Sequence, residues 1–333
     1  MESKQTQHKP VTLVTGACGQ IGTELVAALR ERYGADQVIA TDLQVETDAL
    51  VRQGPYHRLD VMDLPELEKL VDQYGVTRIY HLAAMLSARG EEAPMKAWQL
   101  NMQGLLNVLE VARAQQLKVF WPSSIAVFGA ATARSICPQD ALLGPATVYG
   151  ISKEAGEQWC AYYREHYNLD VRSLRYPGLI SYSAPAGGGT TDYAVAIFHE
   201  ALEYGYYECY LKDDTALPMM YMDDAVRATL ELMDAPKESL RERGAYNISA
   251  LSFTPAQLAE ELAGHIPGFT VRYVPDKRQQ IADSWPAGVD DTAAQRDWSW
   301  QPRYNLPAMT SDMIGHLKPL YAADGVAAIN SQH

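Results

Sequence analysis

From Val11 to Arg175, short apolar runs alternate with stretches that have a helical pattern of apolar residues. Five short apolar runs rich in β-branched and aromatic residues end at Gly, Asp, Ser or Pro, as buried strands do: VTLVTG, QVIATD, TRIYHLAA, KVFWPSS and VRSLRYPG. Between them lie stretches such as IGTELVAALRERYG and NMQGLLNVLEVARAQQ, whose apolar residues recur with the period of one helix face. Repeated strand and helix units of this length predict an α/β fold with a doubly wound parallel sheet of the Rossmann type.

The rhythm changes after Pro177. The segment SYSAPAGGGTTDYA is rich in Ser, Gly and Thr and predicts a loop, and the C-terminal part mixes helical and extended patterns. We predict a cofactor domain over residues 1–177, rejoined by about 216–250, and a smaller α+β substrate lobe over 178–215 and 251–333. Because ligand sites form at the carboxyl ends of parallel strands, the smaller lobe is expected to close over that edge.

Composition narrows the classes of function. The 333 residues carry a formal net charge of −13 without a basic stripe, which argues against a nucleic-acid partner. No apolar run reaches about 18 residues and MESKQTQHKP has no apolar core, so we expect neither membrane spanning nor secretion. The cysteines, Cys18, Cys137, Cys160 and Cys209, lack C-x-x-C spacing, which predicts reduced thiols in the cytoplasm and no metal site.

A glycine-rich segment joins the first predicted strand to the first helix. Gly16, Gly19 and Gly22 stand in VTLVTGACGQIG at the spacing G-x-x-G-x-x-G, not G-x-G-x-x-G. Glycines there allow a tight turn and let a pyrophosphate approach the helix N-terminus, so Gln20 and Ile21 join the predicted cofactor site. An ordinary glycine-rich turn is the alternative.

An acidic residue ends the second predicted strand. Asp42 is followed by Leu43 in LQVE, which offers no Arg or Lys to a 2′-phosphate. A carboxylate at this position accepts hydrogen bonds from the adenosine ribose and repels a 2′-phosphate, so NAD is the predicted cofactor. An Asp that only caps a turn is the alternative.

A tyrosine and a lysine stand four residues apart in TVYGISKEAG, which has a helical pattern. Tyr149 and Lys153 would share one helix face, where the ammonium group lowers the pKa of the phenol. A base at neutral pH needs that pKa about two to three units below about 10, and one charge at about 4 Å supplies roughly 4 kcal/mol. With 20 tyrosines in the chain such a pair also arises by chance, so its meaning depends on context.

The motifs follow one another in a familiar order. Gly16-x-x-Gly19-x-x-Gly22, HLAA at 81–84, Asn101, PSS at 122–124 and Tyr149-x-x-x-Lys153 resemble the extended short-chain dehydrogenase/reductase family over about the first 180 residues. Within it, HLAAMLSARGE, WPSSIAVFG, GLISYSAPAGGGTTDYAV and RQQIADSWP are similar to the short-chain group of L-threonine 3-dehydrogenases. The resemblance implies NAD as cofactor, a homodimer, and oxidation of the 3-hydroxyl of L-threonine to 2-amino-3-ketobutyrate.

The resemblance also implies roles for single residues. Tyr149 would be the general base, Lys153 would hold the nicotinamide ribose, and Ser124 would hydrogen-bond the reacting oxygen. Further cofactor contacts are implied at Asp60, Val61, Leu82, Ala83, Ala84, Asn101, Tyr176 and Pro177, and substrate contacts at Ser87, Ser123, Gly189, Thr190, Thr191 and Trp285. Glycines followed by hydroxyls in GGGTT also suit an anion-binding nest for a carboxylate, although a plain flexible turn has the same composition.

Some of these residues have a structural interpretation as well. Asn101 and Asp60 are good helix caps, and Ser123 and Ser124 could cap a strand end. His81, at a strand end, is expected to be structural rather than a base.

Two other functions stay open: a nucleotide-sugar epimerase or reductase of the same fold, and a non-catalytic NAD-binding regulator. Ile125 and Ala126 stand where sugar dehydratases of the family carry Asp-Glu, and Gly178 stands where its epimerases carry Asn, which weakens the first. The complete Ser-Tyr-Lys set argues against the second.

Overall fold

A computed structural model describes residues 9–44, 53–132, 135–183 and 189–330, with the backbone alone for Ala88 and for 322–330. The chain divides into two compact units, each built from several segments. The first comprises Met1–Pro122, Ala155–Ser173 and Arg243–Ala245. The second comprises Ser123–Glu154, Leu174–Glu242 and Tyr246–His333.

Short strands dominate both units. In chain order they are β1 (Thr12–Thr15), β2 (Val38–Asp42), β3 (Tyr56–Arg58), β4 (Arg78–His81), β5 (Lys118–Phe120), β6 (Ser123–Ser124), β7 (Ile136–Cys137), β8 (Val171–Arg172), β9 (Leu174–Tyr176), β10 (Gly178–Ile180), β11 (Tyr206–Cys209), β12 (Leu217–Tyr221), β13 (Tyr246–Asn247), β14 (Leu251–Phe253), β15 (Thr270–Tyr273) and β16 (Gly288–Val289).

Helices separate most of the strands. They are α1 (Gln20–Tyr33), α2 (Leu64–Tyr74), α3 (Ser87–Glu92), α4 (Pro94–Gln115), α5 (Val148–Tyr167), α6 (Tyr193–Tyr204), α7 (Met222–Asp234), α8 (Pro255–His265), α9 (Arg278–Ala282), α10 (Thr292–Trp298) and α11 (Leu306–Asn330). Among the residues that the structure describes, no helix is both long and apolar enough to cross a membrane.

The first unit is built on a parallel sheet. Within the described residues its strands run in the order β3-β2-β1-β4-β5-β8, so β1 pairs with both β2 and β4. This is the order of the Rossmann fold, in which the strand sequence reverses beside β1 and dinucleotides bind at that reversal. The predicted fold class is confirmed.

Local sequence explains the helix ends of the first unit. Helix α2 begins where Asp63 accepts a hydrogen bond from the Glu66 amide at 3.1 Å and ends at Gly75, which adopts the left-handed conformation. Helix α4 begins at Pro94, well before the predicted NMQ, because proline is accommodated in a first turn. Apolar residues from the sheet and from α2, α4 and α5 form one core cluster, including Leu13, Ile79 and Val108.

Several small sheets and helices make up the second unit. Its sheets have the orders β10-β12-β14, β13-β9-β6, β11-β15 and β16-β7 among the described residues. Helix α8 starts with a capping box, in which Thr254 and Gln257 satisfy each other's backbone amides. One large apolar cluster, with Tyr193, Phe198 and Leu258, holds α6, α8 and α11, and a second one surrounds Phe128.

Candidate active site

The segment 16–19, called the glycine loop below, is packed tightly against the end of β4 in the first unit. Gly16 has φ of 74°, in the left-handed region, and a Cβ there would come within 2.6 Å of the Ala83 amide nitrogen. A Cβ on Gly22 would lie 2.3 Å from the Gly16 carbonyl oxygen. These two glycines are therefore required by space, and they bring Leu82 and Ala83 beside the loop.

Helix α1 presents its N-terminus directly after this loop. Gly19 is its N-cap and provides no side-chain hydrogen bond, and Gln20 and Ile21 are its first residues. The first amides of a helix have no acceptor within the helix and lie at the positive end of its dipole. The loop and helix therefore fit a pyrophosphate group.

Asp42 is oriented by backbone amides of the same unit. Its carboxylate accepts hydrogen bonds from the Cys18 amide at 3.0 Å and from the Gln44 amide at 3.1 Å. The bond to Cys18 brings the end of β2 next to the glycine loop, while Leu43 is exposed. Carboxylate oxygens have further acceptor capacity for ribose hydroxyls.

The structure shows that Asp60 does not cap helix α2. The N-cap of α2 is Asp63, and the Asp60 carboxylate accepts the Met62 amide at 2.9 Å instead. Val61 is buried, and its carbonyl oxygen accepts a hydrogen bond from the Asn107 side chain at 2.9 Å. The predicted cofactor contacts Asp60 and Val61 thus lie on a short turn that the Asn107 side chain of α4 holds in place.

Asn101 is not a helix cap. It is buried within α4, several residues after the N-cap Ala93, where its side chain accepts from the Met85 amide at 2.8 Å and donates to the Met85 carbonyl at 3.1 Å. This pair of bonds fixes the segment after β4, which contains Leu82, Ala83 and Ala84 and leads to Ser87 at the start of α3. His81 is buried, with Nδ1 2.8 Å from the Thr15 hydroxyl, as a structural histidine would be.

The predicted catalytic residues lie together in the second unit. Tyr149 and Lys153 occupy the first turns of α5, with the Lys153 ammonium nitrogen 5.5 Å from the centre of the Tyr149 ring. Lys153 is buried at 3% exposure, and Tyr149 is partly buried. Ser124 hydrogen-bonds Tyr149 and also accepts the Ala126 amide at 3.2 Å, so it caps a short turn and contacts the tyrosine at once.

Gly150 explains how α5 approaches Ser124 so closely. A Cβ on Gly150 would lie 2.2 Å from the Ala126 carbonyl oxygen, in the turn that follows Ser124. No side chain fits there, so only glycine lets the helix bring Tyr149 to Ser124. Sequence reasoning missed this residue, although a glycine within the first turns of a helix, where it is unfavourable, was a signal.

The environment of Tyr149 favours its neutral form. Burial raises the pKa of the Tyr149 phenol to about 12, and the hydrogen bond with Ser124 opposes that rise. A base that works at neutral pH must therefore be helped by positive charge, and the buried Lys153 is the cation on the same helix face.

The other predicted residues of the second unit have varied surroundings. Ser123 and Tyr176 are buried in the β6–β9 pairing, and the Tyr176 hydroxyl bonds Thr229. Pro177 is buried directly before β10. Trp285 packs against both apolar clusters of this unit, one of which contains Ile125.

Part of the GGGTT segment is described. Gly187 and Gly188 lie outside the described residues, whereas Gly189, Thr190 and Thr191 precede α6. The Gly189 amide donates to Asp192 at 2.7 Å, and its carbonyl accepts from the Tyr210 hydroxyl at 3.1 Å. A carboxylate that bound the Gly189 amide would have to displace Asp192.

Comparisons with known proteins agree with this fold. A model of the NAD dependent epimerase/dehydratase family matches residues 12–249. An uncharacterised epimerase/dehydratase of Staphylococcus haemolyticus is 46% identical over 304 residues, covering 91% of this chain and 96% of the relative. A GalE-like L-threonine dehydrogenase from Cupriavidus necator, in its holo form, is similar with a TM-score of 0.91 at 53% identity, over 93% of this chain and 100% of that chain. A monomeric L-threonine 3-dehydrogenase from a metagenome, in its apo form, has a TM-score of 0.90 at 46% identity, over 93% and 99% respectively.

The strand order and the Ser-Tyr-Lys arrangement define an oxidoreductase of the extended short-chain type. The chain belongs to the NAD dependent epimerase/dehydratase family, and NAD is its cofactor. The predicted resemblance and the predicted cofactor are both confirmed.

Proposed function

We propose that this protein oxidises the 3-hydroxyl of L-threonine to a ketone, giving 2-amino-3-ketobutyrate. The observation that carries the proposal is the Ser124–Tyr149 hydrogen bond beside the buried Lys153. This arrangement suits proton removal from a secondary alcohol. Threonine is chosen as substrate because the chain is similar over nearly its whole length to dehydrogenases that are named for it.

The chemistry needs a base for the hydroxyl proton and an acceptor for the hydride on C3. NAD supplies the hydride acceptor when it is bound. Tyr149, as phenolate, removes the hydroxyl proton, and because burial favours the neutral phenol, the phenolate is a strong base once formed. Lys153 balances its charge, and Ser124 holds the reacting oxygen by a hydrogen bond.

We assign recognition of the amino-acid end of the substrate to Thr190 and Thr191. Burial of an unpaired carboxylate costs several kcal/mol, so the loop must supply donors. The Gly189 amide is engaged by Asp192, which leaves the two threonine hydroxyls as the simplest donors of the described loop. Ser87, Ser123 and Trp285 are kept as further proposed substrate contacts.

One assay separates this function from its rivals. NADH formation is followed by absorbance with L-threonine, D-threonine, L-serine, UDP-glucose and UDP-galactose in parallel. We expect turnover with L-threonine and little with the others. Turnover of a UDP-sugar would favour the epimerase or reductase alternative, and NAD binding without turnover of any of these would favour a regulator.

Most of the proposed cofactor contacts belong to the first unit, whereas the catalytic residues and the loop threonines belong to the second. The glycine loop, Asp42 and Asn101 belong to the first unit, and Ser124 and Thr191 to the second. We further propose that the protein works in the cytoplasm, which is supported by its four cysteines, none of which forms a disulfide.

We also propose a homodimer that forms through α4 and α5. Both helices carry exposed apolar side chains in the first unit, namely Met95, Trp98, Trp159, Tyr162 and Tyr167. Aromatic residues and Met are enriched in protein interfaces. The monomeric relative shows that similar chains also exist alone, so the state must be measured directly.

A further inference from the structure

The backbone conformation at residue 178 does not require a glycine, yet Gly178 stands there. It begins β10, pairs with Met219 of β12 and is buried. Its φ lies outside the left-handed region, so any residue could adopt this conformation. The reason for glycine must therefore be space.

The space beside Gly178 is filled by Thr191. A Cβ at position 178 would lie 2.6 Å from the Thr191 Cβ, 2.7 Å from its Cγ2 and 2.4 Å from the Met219 sulfur. Met219 is a flexible side chain and could yield. Thr191 has less freedom, because its carbonyl accepts the Ala194 amide at 3.1 Å and Tyr193, two residues later, is fully buried.

The atoms involved also indicate how Thr191 is oriented. Its Cβ and methyl carbon are the atoms nearest to Gly178, so the methyl group and not the hydroxyl faces the strand. A β-branched side chain is stiff about χ1, which means that seating the methyl also sets the direction of the hydroxyl.

We propose that Gly178 is a positioning residue for substrate recognition. Its missing side chain seats the methyl of Thr191, and this directs the Thr191 hydroxyl toward the carboxylate of the substrate. The inference rests on the proposed function. Gly178 has no side chain with which to contact the substrate, so its effect on specificity would pass through Thr191.

The first test is Gly178→Ala, measured as KM and kcat for L-threonine together with NADH affinity by fluorescence titration. We expect KM to rise about 10-fold, because displaced positioning groups cost roughly this much or more, while saturated turnover stays within about two-fold. NADH affinity should not change. The matched control is Gly264→Ala, since a Cβ there meets nothing within 4 Å. An unchanged KM in Gly178→Ala would overturn the inference.

A double-mutant cycle shows whether the effect passes through Thr191. If it does, Gly178→Ala should change KM by less than about two-fold in a Thr191→Ala background, because the hydroxyl is already absent. If the two substitutions instead raise KM by factors that multiply in the double mutant, Gly178 acts through Met219 or the sheet. That result would contradict the inference.

Thr191→Ser decides the matter if Gly178→Ala does not fold. Serine keeps the hydroxyl but lacks the methyl that Gly178 seats, so we expect KM for L-threonine to rise by about three-fold or more. A KM equal to that of the parent would refute the role of the methyl. Failure of the parent to oxidise L-threonine would instead refute the proposed function, so the two failures are distinguishable.

Discussion

The ammonium nitrogen of Lys153 lies 5.5 Å from the centre of the Tyr149 ring, and both residues belong to the first turns of α5. At an effective dielectric of about 20, a positive charge about 5 to 6 Å from a phenolate oxygen stabilises the phenolate by about 3 kcal/mol, or roughly two pKa units. Burial raises the pKa of Tyr149 to about 12 with Lys153 in place, so the phenol needs further positive charge to act as a base near neutral pH. When bound, the positive charge of oxidised NAD would favour the phenolate of Tyr149 further.

Replacing Lys153 should therefore change the pH dependence of turnover. Lys153→Met keeps much of the buried volume but removes a charge that lowers the pKa of Tyr149. A base acts only when it is deprotonated, so kcat rises with pH. In the variant, the midpoint of this rise should lie about two pH units higher. The measurement is a pH profile of kcat at saturating NAD and L-threonine. An inflection at the pH of the parent would show that Lys153 does not tune Tyr149.

Removal of the phenol should abolish most of the turnover. Tyr149→Phe should lower kcat by about 100-fold or more, the size of a general-base contribution, while NAD affinity is kept. Tyr162→Phe, on the exposed part of α5, is the control and should match the parent. Near-normal turnover in Tyr149→Phe would exclude the proposed base.

The carboxylate of Asp42 should determine the choice of cofactor. Asp42→Ser removes the repulsion of a 2′-phosphate, so the preference for NAD over NADP should narrow by about 10-fold or more. Steady-state kinetics with both cofactors measure this ratio, and Asp36→Ser, at an exposed aspartate of the same unit, serves as control. Equal use of NAD and NADP by the parent would contradict the assignment.

Loss of both loop hydroxyls should weaken substrate use selectively. Thr190→Ala combined with Thr191→Ala removes charge-assisted hydrogen bonds worth about 1.5 to 3 kcal/mol, so kcat/KM for L-threonine should fall about 10- to 100-fold. NAD affinity, measured in parallel, should be nearly constant. If NAD binding collapsed as well, or the threonine kinetics did not change, the loop would need another role.

Association should depend on the exposed aromatic residues of α5. Light scattering at micromolar concentration should give twice the chain mass of 36.9 kDa, and Trp159→Glu should reduce it to one chain because a charge is poorly tolerated in an apolar interface. Tyr204→Glu, at an exposed tyrosine of α6 in the other unit, should leave the mass unchanged. A parent that scatters as a single chain would refute the dimer.

Local patterns in the sequence determined most of the first unit. The five apolar runs all contain strands, and Gly16 and Gly19 fall between β1 and α1 as predicted, while Gly22 lies in the first turn of α1. These features depend on neighbours a few residues away, which is why pattern and spacing reveal them. Strand β3 was not predicted, because three partly exposed residues are too short for a recognisable period.

Side-chain partners far apart in the chain were decided only by the tertiary structure. The sequence allowed both Asn101 and Asp60 to cap helices, and the fold instead joins Asn101 to Met85 and gives the α2 cap to Asp63. It also showed a lysine beside Tyr149, but not the burial that raises the pKa of the phenol.

The same holds for the glycines at 150 and 178. Each lets a backbone or side chain from a distant segment approach, Ala126 in one case and Thr191 in the other. Spacing along one chain reports which residues share an element, whereas the steric room at a given residue depends on what packs against it from elsewhere. Tertiary packing, and not a local pattern, therefore determined the space at Gly150 beside Ala126 and at Gly178 beside Thr191.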